Sequence, residues 1–269
     1  MDKRLISAVL AVFLLLPALL TGCEEDGPIR IGSTEKVTTK ELDFSDFTEV
    51  DIGSAFKVEI TRSANFSVII SAEESLYDYV EVTKSGNELK INLSPRHIFT
   101  DFTIGAKTLK AEITMPDLTG LVLSGASSGT ITGFKSERND LDLEVSGASA
   151  LEIVDCSVND ATFEISGASK LSGNMTADDM DIEVSGASKV ELSGSGDKLD
   201  TEVSGASELD MEKFILQSAD LNISGASEAT LNIKGTVDAR LSGASRLYFY
   251  GNPEIGDLNV SGASTVKHK

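Results

Sequence analysis

One tetrapeptide, Ser-Gly-Ala-Ser, constrains the fold of this chain more than any other feature. Its eight copies begin at Ser124, Ser146, Ser166, Ser185, Ser204, Ser224, Ser242 and Ser261. Successive copies are 18 to 22 residues apart, and short stretches of alternating apolar residues flank them. A fixed period near 20 residues is typical of stacked repeats in which each unit supplies one coil. The sequence therefore predicts an all-β, single-domain parallel β-helix (β-solenoid) with about 20 residues per coil, whose eight coils stack to about 40 Å.

The apolar alternation predicts which residues of each coil point inward. In the fourth copy, one face of the alternation contains Ile182, Val184, Gly186, Ser188, Val190 and Leu192. If the alternation runs through the tetrapeptide without a break, Gly and the second Ser both face the interior, where small residues suit a corner. Buried hydroxyl groups need hydrogen-bond partners. We therefore predict an internal serine ladder through Ser149, Ser169, Ser188, Ser207, Ser227 and Ser245.

The part of the chain before the repeats is organised differently. Residues 37–118 contain strand-like patterns without the tetrapeptide, and Ser75 to Val80 has the pattern of a short helix or turn. A solenoid needs a cover on its first coil. We expect residues 37–118 to form atypical N-terminal coils and a cap, and residues 119–269 to form the regular coils.

Residues 1–22 have the pattern of a signal peptide, with Lys3 and Arg4 before an apolar segment from Leu5 to Leu20. The segment ends in Leu20-Thr21-Gly22-Cys23, which resembles the bacterial lipobox. The resemblance implies cleavage before Cys23, whose thiol then carries acyl chains such as palmitate and anchors a lipoprotein. At 16 residues the apolar segment is short for a membrane-spanning helix.

Residues 23–36 form an acidic tether that begins with Glu24-Glu25-Asp26. An acidic cluster just after the lipidated Cys resembles the export signal that sends lipoproteins of Bacteroidetes-type bacteria to the outer face of the outer membrane. Two locations stay open, namely a surface-exposed outer-membrane lipoprotein and one that faces the periplasm. In the second case the acidic cluster is only a solvated spacer.

Charge and cysteine content exclude two classes of protein. Without residues 1–22, the chain has 42 acidic and 21 basic residues and a formal net charge of −21, so nucleic acid is not an expected partner. Once Cys23 is acylated, Cys156 is the remaining cysteine, which excludes a disulfide framework. The apolar sequence before Cys156 predicts a buried or half-buried thiol.

Carboxylates recur on the outward face of the coils. Two positions before the first Ser of successive copies lie Glu144, Glu164, Glu183 and Glu202, and two residues earlier lie Asp142, Asp181 and Asp200. Stacked about 5 Å apart, they would form a stripe that either binds Ca²⁺ or another divalent cation, or is a solvated face. Across neighbouring coils, Lys189 is placed to pair with Glu208, and Arg246 with Glu228. Tyr248 and Tyr250 are outward-facing candidates for a contact with a partner.

Several segments outside the tetrapeptide resemble one known family. They are Phe44 to Gly53, Phe56 to Ile60, Leu89 to Ile91, and Ile113-Thr114-Met115-Pro116-Asp117-Leu118, which leads into the first Ser-Gly-Ala-Ser. This order is similar to that of the GIN-domain family (putative autotransporter adhesin head domain). The resemblance implies a right-handed parallel β-helix on a secreted or lipid-anchored bacterial protein, and it supplies no catalytic residues.

The sequence shows no constellation of residues that predicts catalysis. The two histidines, His97 and His268, are far apart in the sequence, and Trp, a common platform for sugar stacking, is absent. We therefore expect a non-enzymatic, lipid-anchored surface protein that adheres to or binds a glycan or a protein. The alternatives are a self-associating structural component of the cell envelope, which would form homo-oligomers, and a polysaccharide-processing enzyme. No cofactor other than the Ca²⁺ already considered is expected.

Overall fold

A computed structural model describes residues 36–94, 108–136 and 138–269 of the chain. The predicted signal peptide (1–22), Cys23, nearly all of the tether (23–36) and His97 lie outside the described residues. Glu35–Lys269 forms one compact unit with its own core. Among the described residues, no helix is long and apolar enough to cross a membrane.

The described residues of the N-terminal part form seven strands and one short helix. Their bounds are β1 Val37–Leu42, β2 Glu49–Ile52, β3 Lys57–Arg62, β4 Ser67–Glu73, α1 Glu74–Tyr77, β5 Val80–Ser85, β6 Glu88–Leu93 and β7 Leu109–Met115. The short helix confirms the prediction for the segment that begins near Ser75.

In the repeat region, the described residues form strands and no helix. Their bounds are β8 Gly120–Leu123, β9 Ser128–Thr132, β10 Leu141–Val145, β11 Ala150–Ser157, β12 Ala161–Ile165, β13 Lys170–Thr176, β14 Asp179–Val184, β15 Lys189–Val203, β16 Glu208–Ile223, β17 Glu228–Leu241, β18 Arg246–Gly251, β19 Glu254–Val260 and β20 Thr265–His268. Strands β15, β16 and β17 are longer than the others because each continues around a bend of the coil.

The strands stack into two long faces. Face A consists of β5, β6, β2, β8, β10, β12, β14, the second halves of β15, β16 and β17, and β19, in that order. Face B consists of β1, β4, β7, β3, β9, β11, β13, the first halves of β15, β16 and β17, β18 and β20. Pairing is parallel throughout the repeats. The predicted β-solenoid of about 20 residues per coil is confirmed, with about seven turns between the eight corners.

Each Ser-Gly-Ala-Ser forms the corner between face A and face B. The chain turns at Gly and Ala, and Gly186, for example, has a φ of +77°. The prediction of an unbroken strand with inward-facing Gly is therefore wrong, since Gly186 and Ala187 are exposed. The alternation resumes in the same phase because the turn places the second Ser four residues after the last inward residue of face A. Val184 and Ser188 are both buried.

The corners are joined from coil to coil by backbone hydrogen bonds. The Ala187 N–H donates to the Gly167 carbonyl (2.8 Å), and the Ala206 N–H donates to the Gly186 carbonyl (2.8 Å). A Cβ on Gly205 would lie closer than 3.0 Å to the Gly186 carbonyl oxygen. The positive φ therefore favours glycine at this position, and the close approach of the coil before it requires glycine.

The inward orientation of the second serines is confirmed, and all six predicted residues are buried. Their hydroxyls accept hydrogen bonds mainly from backbone rather than from one another. The Ser127 N–H donates to Ser149 Oγ (3.2 Å), and the Ser149 N–H donates to Ser169 Oγ (3.4 Å). A hydroxyl-to-hydroxyl contact occurs near the last coil, where Ser245 Oγ donates to Ser264 Oγ (3.2 Å).

One corner in the N-terminal part lacks the tetrapeptide. Between β2 and β3, Ser54 and Ala55 both have a φ of +61°, and Phe56 occupies the buried position of the second Ser. The Ala55 N–H donates to the Gly125 carbonyl (2.9 Å), which joins this corner to the first Ser-Gly-Ala-Ser. The stack of corners therefore begins one coil earlier than the repeat in the sequence.

The two ends of the solenoid differ. At the N-terminal end, antiparallel strands cover the core, with β5 beside β6 and with β1 and β4 outside β7. Leu76 of α1 is buried there. At the C-terminal end, β19 and β20 pair only with β17 and β18 among the described strands. All seven residues of β19 are exposed.

Candidate functional site

The predicted carboxylate stripe lies on face A and is in register. Glu144 pairs with Glu164, Glu164 with Glu183, and Glu183 with Glu202 in consecutive parallel strands. In-register residues of neighbouring strands lie about 4.8 Å apart. All four side chains are exposed, and none forms an ion pair with another described residue. We call this set the glutamate column.

The glutamate column has defined ends. Val122 precedes Glu144 in the register, and Asn222 and then Arg240 follow Glu202. The column is therefore four carboxylates long.

The aspartates of the stripe lie in a parallel column on face A. Asp181 pairs with Asp200, but Thr162 separates Asp142 from Asp181. The structure continues this column through Asp220 and Asp238. Sequence reasoning missed them because Asn222 and Arg240 replace the glutamate that lies two positions before the first Ser in the second to fifth copies. Lys198 Nζ contacts Asp200 (2.7 Å), which raises the pKa of Lys198, so the aspartate column is partly paired.

Cation binding by the stripe stays a prediction. In the described part of the chain, no group of three or more His, Cys, Asp or Glu side chains is placed to hold a metal ion. Stacked carboxylates at this spacing repel weakly in salt solution because both are exposed. A divalent ion between two columns would need the side chains to converge, and their rotamers on an exposed face leave them free to do so.

A shallow acidic groove lies where the glutamate column meets the N-terminal coils. It has a volume of about 440 Å³ and is lined by Glu49, Glu88, Gly120, Val122, Asp142, Glu144 and Glu164, with other residues. Its floor is low because Gly120 has no side chain between Glu49 and Asp142, its neighbours in the register. Sequence reasoning missed Glu49 and Glu88, since they lie outside the repeats.

Face B carries several cross-coil ion pairs. Lys189 Nζ lies 3.0 Å from Glu208 and 3.1 Å from Glu191, and Lys170 Nζ lies 2.7 Å from Glu191. These contacts raise the pKa of Lys189, with Glu208 as the main cause, and lower the pKa of Glu191, with Lys170 as the main cause. Arg246 contacts Glu228 at 3.5 Å. Both cross-coil pairs predicted from the sequence are present.

The aromatic candidates lie beside the last coil on face B. Phe249 is buried, whereas Tyr248 and Tyr250 are half-buried and outward, as the alternation predicts. Lys269 Nζ lies 4.1 Å above the Tyr248 ring and 5.9 Å from the Tyr250 ring. The two tyrosines are therefore already in contact with the chain itself, which leaves less of each ring for a partner.

Cys156 is a buried thiol on the inner side of β11. Burial is the main cause that raises its pKa. A thiol with a raised pKa is a poor nucleophile at neutral pH. Cys156 is therefore a core residue, as the sequence predicted.

Comparison with known proteins identifies the family and the fold. Residues 46–253 match the family described as "Putative auto-transporter adhesin, head GIN domain". No curated protein is similar enough to count as a match.

Three solved structures resemble the chain in fold. A putative adhesin from Parabacteroides distasonis has a TM-score of 0.77 at 14% identity and covers 88% of this chain and 98% of its own. A putative adhesin from Parabacteroides merdae has a TM-score of 0.76 at 15% identity, with coverage of 88% and 97%. A putative lipid binding protein from Parabacteroides distasonis has a TM-score of 0.74 at 20% identity, with coverage of 88% and 98%. These identities support a shared fold alone.

The family match extends from the Asp46 region, just before the first buried strand, to the coil that ends near Pro253, and so includes both the atypical coils and seven of the eight corners. The chain with its stacked corners and acidic face A belongs to the GIN-domain family.

Proposed function

We propose that this chain is a lipid-anchored protein of the bacterial cell surface that binds a partner through face A and has no enzymatic activity. The observation that carries the proposal is the glutamate column. It presents four exposed, unpaired carboxylates in register on the solenoid, while several carboxylates of face B, such as Glu191 and Glu208, form ion pairs with lysines. A rigid face loses little conformational entropy when a partner binds.

The charge of face A favours two chemical classes of partner. A protein surface with Lys or Arg side chains would be attracted directly and would associate faster at low salt. An anionic glycan would need a divalent cation such as Ca²⁺ as a bridge to the carboxylates, whereas the hydroxyl groups of a neutral glycan could donate hydrogen bonds to them directly. Both classes are consistent with adhesion. The charge of face A excludes a partner whose own carboxylates would contact it without a bridging cation.

The proposed location follows from the N-terminal sequence. Lipid on Cys23 would hold the solenoid at a membrane, and the acidic tether favours the outer face of the outer membrane over the periplasm. The unchanged chain is expected to incorporate labelled palmitate, and a Cys23→Ser variant is not. Equal incorporation by the two chains, or none by either, would show that the lipid anchor is wrong.

A lipid ligand, suggested by one solved relative, has less support. The interior of the described solenoid is filled by one continuous cluster of buried apolar side chains, which includes Phe163, Phe214 and Leu231. A protein interior filled with closely packed side chains has no room for an acyl chain. Any lipid would have to bind outside the coils.

A self-associating envelope component is the second candidate, favoured by the exposed apolar residues of β19. Growth into an open-ended stack would require the C-terminal end of one copy to fit the N-terminal end of the next. The antiparallel strands that cover the N-terminal end give it a surface that differs from the open last coil. This candidate therefore has support only for an assembly through the last coil.

Two charge-matched variants test the proposed binding face. The first changes Glu144, Glu164, Glu183 and Glu202 to Gln on face A. The second makes the same change on face B, at Glu152, Glu191, Glu208 and Glu228. Binding is measured on cationic peptides and on immobilised glycans with and without 2 mM CaCl₂, a concentration of about the Kd of weak extracellular sites.

We expect the face A variant to lose binding by about tenfold or more and the face B variant to lose less than about twofold. Equal losses would mean that only net charge matters. Undiminished binding by the face A variant would contradict the proposal.

A further inference from the structure

The C-terminal end of the solenoid differs from the rest of the surface in being apolar. Four large apolar side chains are exposed among the described residues, and three of them lie on β19, namely Ile255 (50%), Leu258 (41%) and Val260 (46%). They continue the inward-facing positions of the coil below, since Val237 pairs with Ile255 and Ala239 with Leu258. The exposed residues therefore form an apolar layer on top of the buried core without being part of it.

The backbone of the last coil is also open. In the described chain, β19 pairs on one side with β17, and β20 pairs on one side with β18. Their outer edges present N–H and C=O groups to solvent. Such an edge is a template for another strand, and natural proteins usually protect it with charges.

The opposite end shows that protection. The outermost N-terminal strands, β1 and β5, carry Lys40, Glu41, Glu81 and Lys84 as exposed charged residues, and only Val37 (44%) is a large exposed apolar residue there. Strand β19 has Glu254 and Asp257, but they alternate with three exposed apolar side chains.

Charge favours a second copy of this chain as the occupant of the open end. The chain as a whole is strongly acidic, and copies would repel one another over most of their surfaces. Residues 254–269 are the exception, since they contain two acidic and two basic residues. The one end that is apolar is therefore also electrically neutral.

We propose that the chain forms a closed, tail-to-tail dimer in which β19 pairs antiparallel with β19 of a second copy. A two-fold axis that is perpendicular to the solenoid axis and passes through face A reverses the direction of the strand. It also leaves face A of both copies on the same side of the dimer. The contact buries Ile255, Leu258 and Val260 of both copies and continues the core across the interface. It uses up the open end of each copy, and the covered N-terminal ends prevent further growth.

The dimer does not depend on binding by face A, and each idea can fail without the other. In the dimer the two acidic faces form one surface about twice as tall, roughly 100 Å at about 4.8 Å per strand. A partner with several cationic groups would then be bound by two copies at once.

Sedimentation equilibrium of residues 35–269, the compact unit, tests the proposal directly. We expect twice the monomer mass at low micromolar concentration and no larger species. Leu258→Lys places a charge in the interface and is expected to weaken the dimer at least about tenfold, as is Ile255→Lys. Val37→Lys, a matched control at the other end with similar exposure, is expected to change the dissociation constant less than about twofold.

Circular dichroism melts of the variants separate loss of the dimer from loss of folding, since Leu258 and Ile255 are exposed in the monomer and their replacement leaves its core intact. A monomer at 100 µM would overturn the proposal. So would filaments, or equal weakening by Leu258→Lys and Val37→Lys.

Spin labels distinguish the tail-to-tail arrangement from others. With Cys156→Ala as background, labels at Thr265→Cys should lie within about 40 Å of each other, and labels at Val37→Cys should lie about 100 Å apart, from about 4.8 Å per strand. A short distance between the Val37 labels would overturn the arrangement. Binding by a monomeric Leu258→Lys variant would leave the function of face A intact.

Discussion

The corner glycines give the sharpest prediction of stability. Gly205 has a φ of +79°, and a Cβ at this position would lie closer than 3.0 Å to the carbonyl oxygen of Gly186 in the preceding coil. Gly86, in the turn between β5 and β6, has a φ of +60°, but no described atom lies within 4 Å of a Cβ placed there. The pair Gly205→Ala and Gly86→Ala therefore separates the cost of backbone conformation from the cost of the clash.

The magnitudes follow from the geometry. Alanine in the left-handed region costs about 1 kcal/mol, so we expect Gly86→Ala to lower the free energy of unfolding by about that amount. In Gly205→Ala the corner must also move away from the coil before it. That movement stretches the hydrogen bond from the Ala206 N–H to the Gly186 carbonyl (2.8 Å) and disturbs the bond of the next corner. At about 1 kcal/mol for each bond, the total cost is about 3 kcal/mol.

Denaturant unfolding followed by circular dichroism measures both variants. The m-values should match that of the unchanged protein, which confirms that the same unfolding transition is compared. The reasoning is refuted if Gly205→Ala is no more destabilising than Gly86→Ala, because the close stacking of corners would then impose no requirement for glycine.

Three further predictions test other parts of the structure. Ser149→Ala removes one of two acceptors of the Ser127 N–H, which keeps the Ser124 carbonyl (3.3 Å), and should lower the free energy of unfolding by about 1 kcal/mol. Ser207→Ala, whose Oγ has no partner among the described residues, should cost less than about 0.5 kcal/mol, and equal costs in denaturant melts would contradict the ladder. The pKa of Glu191 is lowered in the folded state, so its pairing stabilises the protein above the unfolded-state pKa, and this stabilisation is lost as pH falls through the folded-state pKa. Because the pair is exposed, Glu191→Gln should lower the free energy of unfolding at pH 7 by less than about 1 kcal/mol. It should also remove part of the loss of stability below about pH 4.5, which a series of melts at different pH values would detect or exclude. The Cys156 thiol should react with a thiol reagent at pH 8 only after denaturant is added, and rapid labelling of the folded protein would show that it is not a core residue.

The sequence predicts the solenoid well because each of the eight copies of the repeat indicates the same local backbone geometry. The period sets the coil length, and the alternating apolar residues identify the inner face on both sides of each corner. The inward second serines and the cross-coil pair of Lys189 with Glu208 follow from that phase. Both are found in the structure.

The errors have physical reasons. The alternation returns to the same phase after the corner, so a strand that continues and a strand that turns at Gly and Ala give the same pattern on either side. Only the backbone conformation of Gly186 distinguishes them. The corner at Ser54 and Ala55 was missed because it lacks the tetrapeptide, although both residues adopt the same left-handed backbone conformation as the corner glycines.

Features that depend on the joining of distant segments could not be predicted. The groove at Gly120 forms because β2 and β6, far earlier in the chain, stack against the first regular coil and bring Glu49 and Glu88 beside Asp142. The contrast between face A and face B likewise depends on which side chains reach each other across coils. The order of residues along the chain shows neither the stacking of these distant strands nor the contacts between side chains of neighbouring coils.

Surface display of the solenoid is the central claim, and controlled proteolysis of intact cells tests it most directly. A recognition site for a specific protease is inserted between Gly27 and Lys36, and the protease is added to intact cells and to lysed cells. The account predicts release of the domain from intact cells while a periplasmic marker stays uncut. Cleavage in lysed cells alone would place the protein in the periplasm and contradict a role in adhesion.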